Sequence, residues 1–365
     1  MGHYNVYLPN YSIGSDCYKE IPYVARNYGK KAVVIGGKTA MAKSKDAIED
    51  GIAGSDIEIV DYIWYGGDST YENGDALIAM DTVKNADIIF GVGGGRACDT
   101  CKYVADKLDK PLFTFPTVAS NCASVTSICV MYYPDGSFRE YYYPKLADYT
   151  FINTAIIADS PETLLWAGIG DALSKEFEAV FSSKDDTLAH TALMGVQLSR
   201  VCTAPLVDFG VESMEAIKAK KSNDALKEVT LDIIISTGIV SNMTTHTPDY
   251  YYNSSLAHCV YYGSTVTKKG HQHLHGEVVS LGVLCLLTYE KNFEERDRLM
   301  AFNAAMGLPV CFDDVEITED EFEAMTDKAE TTTEWEFRPK DVTREKFIQC
   351  MKDQNAAGRA FKAGK

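Results

Sequence analysis

Ala86-Asp87-Ile88-Ile89-Phe90-Gly91-Val92-Gly93-Gly94-Gly95, followed by Arg96-Ala97-Cys98-Asp99-Thr100-Cys101-Lys102, is the stretch that decides the fold of this 365-residue chain. An apolar run closed by glycines and followed by a helix-like pattern reads as a buried strand turning tightly into a helix. Without Cβ atoms the loop backbone can approach a pyrophosphate closely, and the free N–H groups and positive dipole end of the helix stabilise its charge. The run fits neither G-x-G-x-x-G nor G-x-x-x-x-G-K-[ST], so geometry rather than a motif points to phosphate here.

Outward from this stretch the same design recurs. Lys31-Ala32-Val33-Val34-Ile35-Gly36-Gly37 and Leu112-Phe113-Thr114-Phe115-Pro116-Thr117 read as further buried strands, and Tyr149-Thr150-Phe151-Ile152 with Ile156-Ile157-Ala158 as a last one. Strands alternating with helical patterns over the first ~150 residues predict a parallel sheet covered by helices. From about Pro161 helix patterns take over, with helices expected over Pro161 to Phe181, Thr187 to Cys202, Asn223 to Val240 and Gly276 to Tyr289. The chain exceeds the size at which one core stops growing, so two domains are expected, residues 1–160 and 161–365.

Composition narrows the function. Thirty-five basic against 52 acidic side chains leave a formal charge of −17, which repels nucleic acids and anionic membranes. The longest apolar run, Val278 to Leu287, is too short to span a bilayer, and Met1-Gly2-His3-Tyr4 starts no basic, hydrophobic export signal. A cytoplasmic protein is expected. The ten cysteines lack the spacing of a disulfide scaffold and are expected reduced. Cys98 and Cys101 form a C-x-x-C without a second pair to complete four ligands, so packing is their expected role.

Asp171, His258 and His275 lie in GIGDALSKEFEA, LAHCVYYG and HLHGEVVSLGV, which together read as one metal site. One carboxylate and two imidazoles suit a divalent ion such as Zn²⁺ with a position left free for substrate. His271 and His273 are expected to be surface or supporting residues. The ordered series GVGGGRACDTCK, FPTVAS, VMYYPDGSFREYYYPK, LLWAGIGDALSKEFEAV, LAHCVYYG and LHGEVVSLGVL resembles the iron-containing alcohol dehydrogenase superfamily, most closely its glycerol dehydrogenase-like branch. The resemblance runs over nearly the whole chain. It implies the dehydroquinate synthase-like fold, an α/β N-terminal Rossmann-like dinucleotide domain and an all-α C-terminal domain, with cofactor and metal meeting in a cleft between them. It also implies that Asp171, His258 and His275 are the metal ligands. Gly94, Gly95, Asp99, Thr117 and Ser120 fall at nucleotide-contacting positions, and Thr126, Ile128 and Tyr132 at the nicotinamide end. The implied activity is hydride transfer between NAD(H) or NADP(H) and a small alcohol or carbonyl, in an enzyme that assembles as a homo-oligomer.

Three departures from the family pattern refine this. Lys175 stands four residues after Asp171, where iron-using relatives place another histidine ligand; an ammonium has no lone pair to give, so three ligands and zinc are favoured over four and iron. Gly37 stands where NAD-preferring relatives carry an aspartate on the adenosine ribose, which opens the site to a 2′-phosphate that Lys38, Thr39 and Lys43 can approach. Cys122 replaces the aspartate that glycerol dehydrogenases offer their polyol, and TVASNCASVTS resembles the hydroxycarboxylate dehydrogenase subgroup, which reduces small 2-oxo acids. The alternatives are glycerol dehydrogenase proper, acting on glycerol and dihydroxyacetone with NAD, and a dehydroquinate synthase-like lyase with recycled NAD.

Overall fold

A computed structural model describes residues 5–364; the segment Met1–Tyr4, in which no export signal is expected, and Lys365 lie outside the described residues. The strands are β1 (Tyr11–Ile13), β2 (Lys31–Gly36), β3 (Glu58–Trp64), β4 (Ile88–Gly93), β5 (Leu112–Pro116), β6 (Cys129–Tyr132), β7 (Phe138–Tyr142) and β8 (Tyr149–Ile152). Six of them form one sheet in the order β1-β8-β5-β4-β2-β3, and every neighbouring pair is parallel. β6 and β7 form a separate antiparallel pair.

β4 and β5 are buried along their whole length, as a parallel sheet covered on both faces requires, and this explains their continuous apolar runs. Alternate residues feed two cores: Val34, Ile88, Phe90 and Phe113 on one face with Tyr18 and Ile48, and Val33, Ile35, Ile89 and Leu112 on the other with Cys101 and Val104. Helix α1 (Lys38–Ile52) follows β2, and α2 (Gly95–Leu108) follows β4. From β2 the chain passes to β3 on one side, and from β4 to β5 and β8 on the other. Ligands of open parallel sheets bind at such a reversal, outside the carboxyl ends of the two strands.

Two compact units are present. One runs to Leu165 and takes up Glu212–Asn242; the other comprises Trp166–Val211 and the chain from Met243 onward. The expected division at residues 160 and 161 therefore differs from the observed one, because the later segment returns to the first unit. Asn242 explains the return: its Oδ1 accepts from Ser127 N at 3.0 Å and its Nδ2 donates to Val125 O at 3.0 Å.

The second unit contains most of α3 (Glu162–Ala172), then α4 (Ser174–Ser182), α5 (Leu256–Ser264) and α6 (His275–Tyr289). Helix α6 is apolar all round and is buried from Val278 to Thr288, so the run that fell short of a membrane span is a core helix. Among the described residues no helix is long and apolar enough to cross a membrane. The unit is not purely helical, since Thr245–His246 pairs with Tyr250–Tyr251.

Other expectations are corrected locally. Ile156–Ala158 is not strand but part of the helix Thr154–Ala158, because Asn153 Oδ1 accepts from Ala155 N and Ile156 N and starts a helix where β8 ends. The helix expected over Pro161 to Phe181 is divided into α3 and α4. The one expected over Asn223 to Val240 passes through a π-helical turn at Asp232–Ser236. Ten free cysteines are present, Cys122 half-buried and the rest buried; Cys98 and Cys101 pack against the sheet.

Candidate active site

In the second unit Asp171 ends α3, His258 lies in the first turn of α5 and His275 opens α6. One ligand atom from each lies within 4.8 Å of the others. Asp171 Oδ1 is 3.0 Å from His275 Nε2 and 3.6 Å from His258 Nε2. The approach of α6 to α3 sets this closeness. A Cβ on Gly276 would fall 1.8 Å from Ala167 O, so only glycine lets the backbone beside His275 come this near to the Asp171 helix. Tyr261, one turn after His258, sets its ring edge-on to His275 with centroids 4.1 Å apart.

Glu178, buried on α4, holds His258 from behind. Its Oε2 lies 2.6 Å from His258 Nδ1, while Oε1 accepts from Ser255 N at 2.7 Å and His258 N at 3.0 Å. The carboxylate thus caps α5 and orients the imidazole at once. A carboxylate only accepts, so Nδ1 carries the proton and Nε2 is the atom turned toward Asp171. Burial alone would lower the His258 pKa, but the Glu178 charge and hydrogen bond, with Asp171, outweigh it and raise it to about 9. Burial alone would raise Asp171; His275, His258 and Lys175 outweigh it and hold the carboxyl at about 2.

The donor set fits a divalent cation on these grounds: a carboxylate ionised over the working pH range, two imidazoles converging on it, and a carboxylate behind one of them. His271 and His273 stand apart from the cluster, His271 Nδ1 at 3.1 Å from Thr267 O and His273 Nδ1 at 2.9 Å from Glu277 Oε1. Lys175 donates to Asn253 Oδ1 at 2.6 Å and to Asn253 O at 3.0 Å.

In the first unit the carboxyl ends of β2 and β4 adjoin, with Gly37 N donating to Val92 O at 3.2 Å. Gly93 has φ +151, and a Cβ there would meet Ala97 Cβ at 2.8 Å, so the turn itself demands glycine. Gly94 caps the 14-residue helix α2 and Gly95 is its first residue, which leaves the first-turn N–H groups facing the reversal point. Thr117 N bonds Gly93 O at 3.2 Å, tying the Thr117–Ser120 segment to the same edge. Arg96 stacks over the Tyr132 ring at 5.0 Å and pairs with Asp68.

Asp99 lies in the second turn of α2. It is buried: Oδ1 lies 2.8 Å from Lys102 Nζ and Oδ2 accepts from Val130 N at 3.0 Å. Lys102 in turn donates to Thr126 O and Ile128 O at 3.0 and 2.5 Å. The pair fastens the strip carrying Thr126, Ile128 and Tyr132. Lys43 is ion-paired with Asp159, whereas Lys38 lies over the exposed Trp64 ring at 4.4 Å. Cys122 caps the 3₁₀ turn Ala123–Val125 and packs near Gly238.

Sequence reasoning missed Glu178, Asn253, Tyr261 and Arg96. Glu178 was accessible in principle, since the helix expected over Pro161 to Phe181 would put it seven residues, two turns, after Asp171 on one face, although α3 and α4 are in fact separate.

Comparison with known proteins agrees in both units. The family model for iron-containing alcohol dehydrogenase matches residues 9–159. The chain is 29% identical over 311 residues to the glycerol dehydrogenase of Thermotoga maritima, covering 82% of each. It is 28% identical over 258 residues to hydroxycarboxylate dehydrogenase A of Escherichia coli K12, covering 70% of this chain and 68% of that one. The fold superposes on glycerol dehydrogenase from Schizosaccharomyces pombe with a TM-score of 0.85 at 22% identity, over 99% of this chain and 93% of that one. The sequence matches extend beyond the parallel sheet into the helices that carry Asp171 and His258, and the chain resembles the iron-containing alcohol dehydrogenases over residues 9–159 and the glycerol dehydrogenases, which are alcohol–carbonyl oxidoreductases, over 82% of its length.

Proposed function

We propose that this oxidoreductase is metal-dependent and NAD(P)-linked, and that it interconverts a small 2-hydroxy acid and its 2-oxo acid. The observation that carries metal dependence is the Asp171–His258–His275 cluster with Glu178 behind it. When bound, a divalent cation supplies Lewis-acid polarisation of the reacting oxygen and the nicotinamide supplies or accepts the hydride. Glu178 keeps the His258 proton on Nδ1 and so reserves Nε2 for the cation. In reduction the carbonyl carbon gains a hydride and its oxygen a proton; in oxidation both leave. The His275 side chain is 40% exposed, so water can reach the cluster and exchange that proton without a dedicated base. Zinc is favoured because Lys175 stands where a fourth ligand would.

At the first unit Gly94 and Gly95 would hold the pyrophosphate of a nicotinamide nucleotide at the α2 N-terminus, with Thr117 and Ser120 contributing contacts. Thr126, Ile128 and Tyr132, on the strip fixed by the Asp99–Lys102 pair, would contact the nicotinamide end. Gly37 has an ordinary φ of −71, and a Cβ there would meet only Ala40 and Tyr65 at 3.6 and 3.8 Å. The backbone therefore does not forbid an aspartate, and the missing carboxylate favours NADP(H), with Lys38 nearby for the 2′-phosphate. Cys122 in place of a carboxylate favours an anionic substrate over glycerol. Homo-oligomeric assembly fits the exposed apolar residues Leu193, Met194, Leu198 and Val201, and the free cysteines fit the cytoplasm.

The test is direct: Asp171→Asn, His258→Ala and His275→Ala should each lose bound metal and turnover. Retained metal and full turnover in all three would refute the assignment.

A further inference from the structure

Trp64 ends β3 at the carboxyl edge of the sheet, in register with Gly36 of β2, and Tyr65 N donates to Gly36 O at 3.1 Å. The indole therefore stands beside Gly37, where the chain turns into α1. It is 47% exposed, whereas Trp335 is buried and Trp166 half-buried. Exposure alone would mean little, but this ring is held in place by its edge. A Cβ on Gly67 would fall 3.1 Å from Cζ2 and 3.9 and 4.0 Å from the ring atoms on either side, an approach in the plane of the ring that leaves its faces clear of that loop. The loop itself is pinned at both ends: Tyr65 Oη donates to Gly67 O at 2.7 Å, and Asp68 pairs at 3.2 Å with Arg96, the neighbour of Gly95.

One face of the indole carries Lys38, the first residue of α1, with Nζ 4.4 Å from a ring centroid. Among the described residues no carboxylate pairs with that ammonium. An exposed ammonium over a ring is held more weakly than a stacked base, so a base can take its place. The order of the strands supplies the rest. β4, β2 and β3 are consecutive neighbours, so the end of β3 stands about 10 Å from the end of β4 at the usual strand spacing. A nucleotide whose pyrophosphate sits at the end of β4 and whose ribose passes Gly37 at the end of β2 brings its base to the end of β3.

We infer that the Trp64 indole is the platform on which the adenine of the nicotinamide nucleotide stacks, displacing the Lys38 ammonium from the ring. The inference rests on the proposed function and goes beyond it, since Gly37 and Lys38 concern the ribose and its 2′-phosphate and leave the base unassigned. Stacking uses the π-face common to both nucleotides, so Trp64 positions NADH and NADPH alike and does not choose between them.

The experiment compares metal-loaded Trp64→Leu and Trp64→Phe with the wild type, using NADPH, NADH and reduced nicotinamide mononucleotide, which lacks the adenosine. In Trp64→Leu the KM for both dinucleotides should rise about 10- to 100-fold at unchanged kcat, the span of a lost base–aromatic stack, with Trp64→Phe recovering part of it. The kcat/KM for the mononucleotide should not move. Equal losses with mononucleotide and dinucleotides would make Trp64 a support of the fold, and unchanged KM values would leave the ring idle; either result overturns the inference. If Trp64→Leu fails to fold, the wild type still decides through tryptophan fluorescence. Binding of 5′-AMP, followed in parallel by calorimetry, should quench the exposed indole; no binding, or binding without a change in emission, contradicts a stacked adenine. Wild-type protein quenched by 5′-AMP that oxidises no reduced nicotinamide with any carbonyl sinks the proposed function and keeps the adenine platform, whereas turnover insensitive to Trp64 sinks this inference alone.

Discussion

At the nucleotide edge of the first unit the groups offered to a ligand are backbone N–H groups, delivered by consecutive residues from Gly93 to Gly95 at the start of α2. At the cluster of the second unit they are side chains, two of which, Asp171 and His275, lie 104 residues apart in the chain. The first arrangement tolerates changed side chains provided the turn survives. The second depends on helices packed closely enough to bring three side chains to one point, and on a buried carboxylate that orients one of them. Backbone sites and side-chain sites should therefore fail differently.

The largest effect is expected where helix packing makes the side-chain site. Gly276→Ala forces a Cβ to 1.8 Å from Ala167 O, and should destabilise the fold by about 4 kcal/mol or more and abolish stoichiometric metal binding, read by thermal unfolding and metal analysis. In the first unit Lys102→Met strands the Asp99 carboxylate in the core. It should cost about 3 kcal/mol and raise the KM for the nicotinamide nucleotide while leaving metal content intact, a separation that sharpens the contrast between the units.

Glu178→Gln is milder. It removes the charge behind His258 but keeps an amide able to cap α5, so metal affinity should fall about 10- to 100-fold with little change in fold, measured by competition with a chelator. Its pH dependence is the diagnostic. The folded His258 pKa of about 9 lies above its ordinary 6.5, so in metal-free protein this group contributes stability that is fully present below about pH 6.5 and lost as pH rises through 9. For the same reason a cation must displace that proton below pH 9, and wild-type affinity should rise with pH up to about 9; in Glu178→Gln the rise should level off at lower pH. The smallest effect is expected at the backbone edge, where Gly37→Asp has room for its side chain and should shift preference from NADPH toward NADH by about tenfold in kcat/KM.

Legibility in the sequence followed the same divide. β2, β4 and β5 could be read because a strand buried on both faces must be continuously apolar. β3 escaped because it lies at the sheet edge, where Glu58 and Asp61 interrupt the apolar pattern. Ile156–Ala158 misled because a short apolar run does not distinguish strand from helix, and the deciding residue was the cap, Asn153. The identities of Asp171, His258 and His275 came from motifs resembling a family; what brings them together, the Gly276 contact and the Glu178 carboxylate, is ordinary in one dimension and acquires meaning only through packing. Asp99, placed at a nucleotide position by resemblance, is also one half of a buried ion pair that only packing reveals.

The most direct measurement is NADPH and NADH oxidation by metal-replete and chelator-stripped protein against 2-oxobutyrate, pyruvate, dihydroxyacetone and short aldehydes. The account predicts turnover that requires the metal, prefers NADPH and is strongest with the 2-oxo acids. Undiminished oxidation by stripped protein would contradict it, and metal-dependent turnover confined to NADH with dihydroxyacetone would make the enzyme a glycerol dehydrogenase in which Gly37, Cys122 and Lys175 are silent.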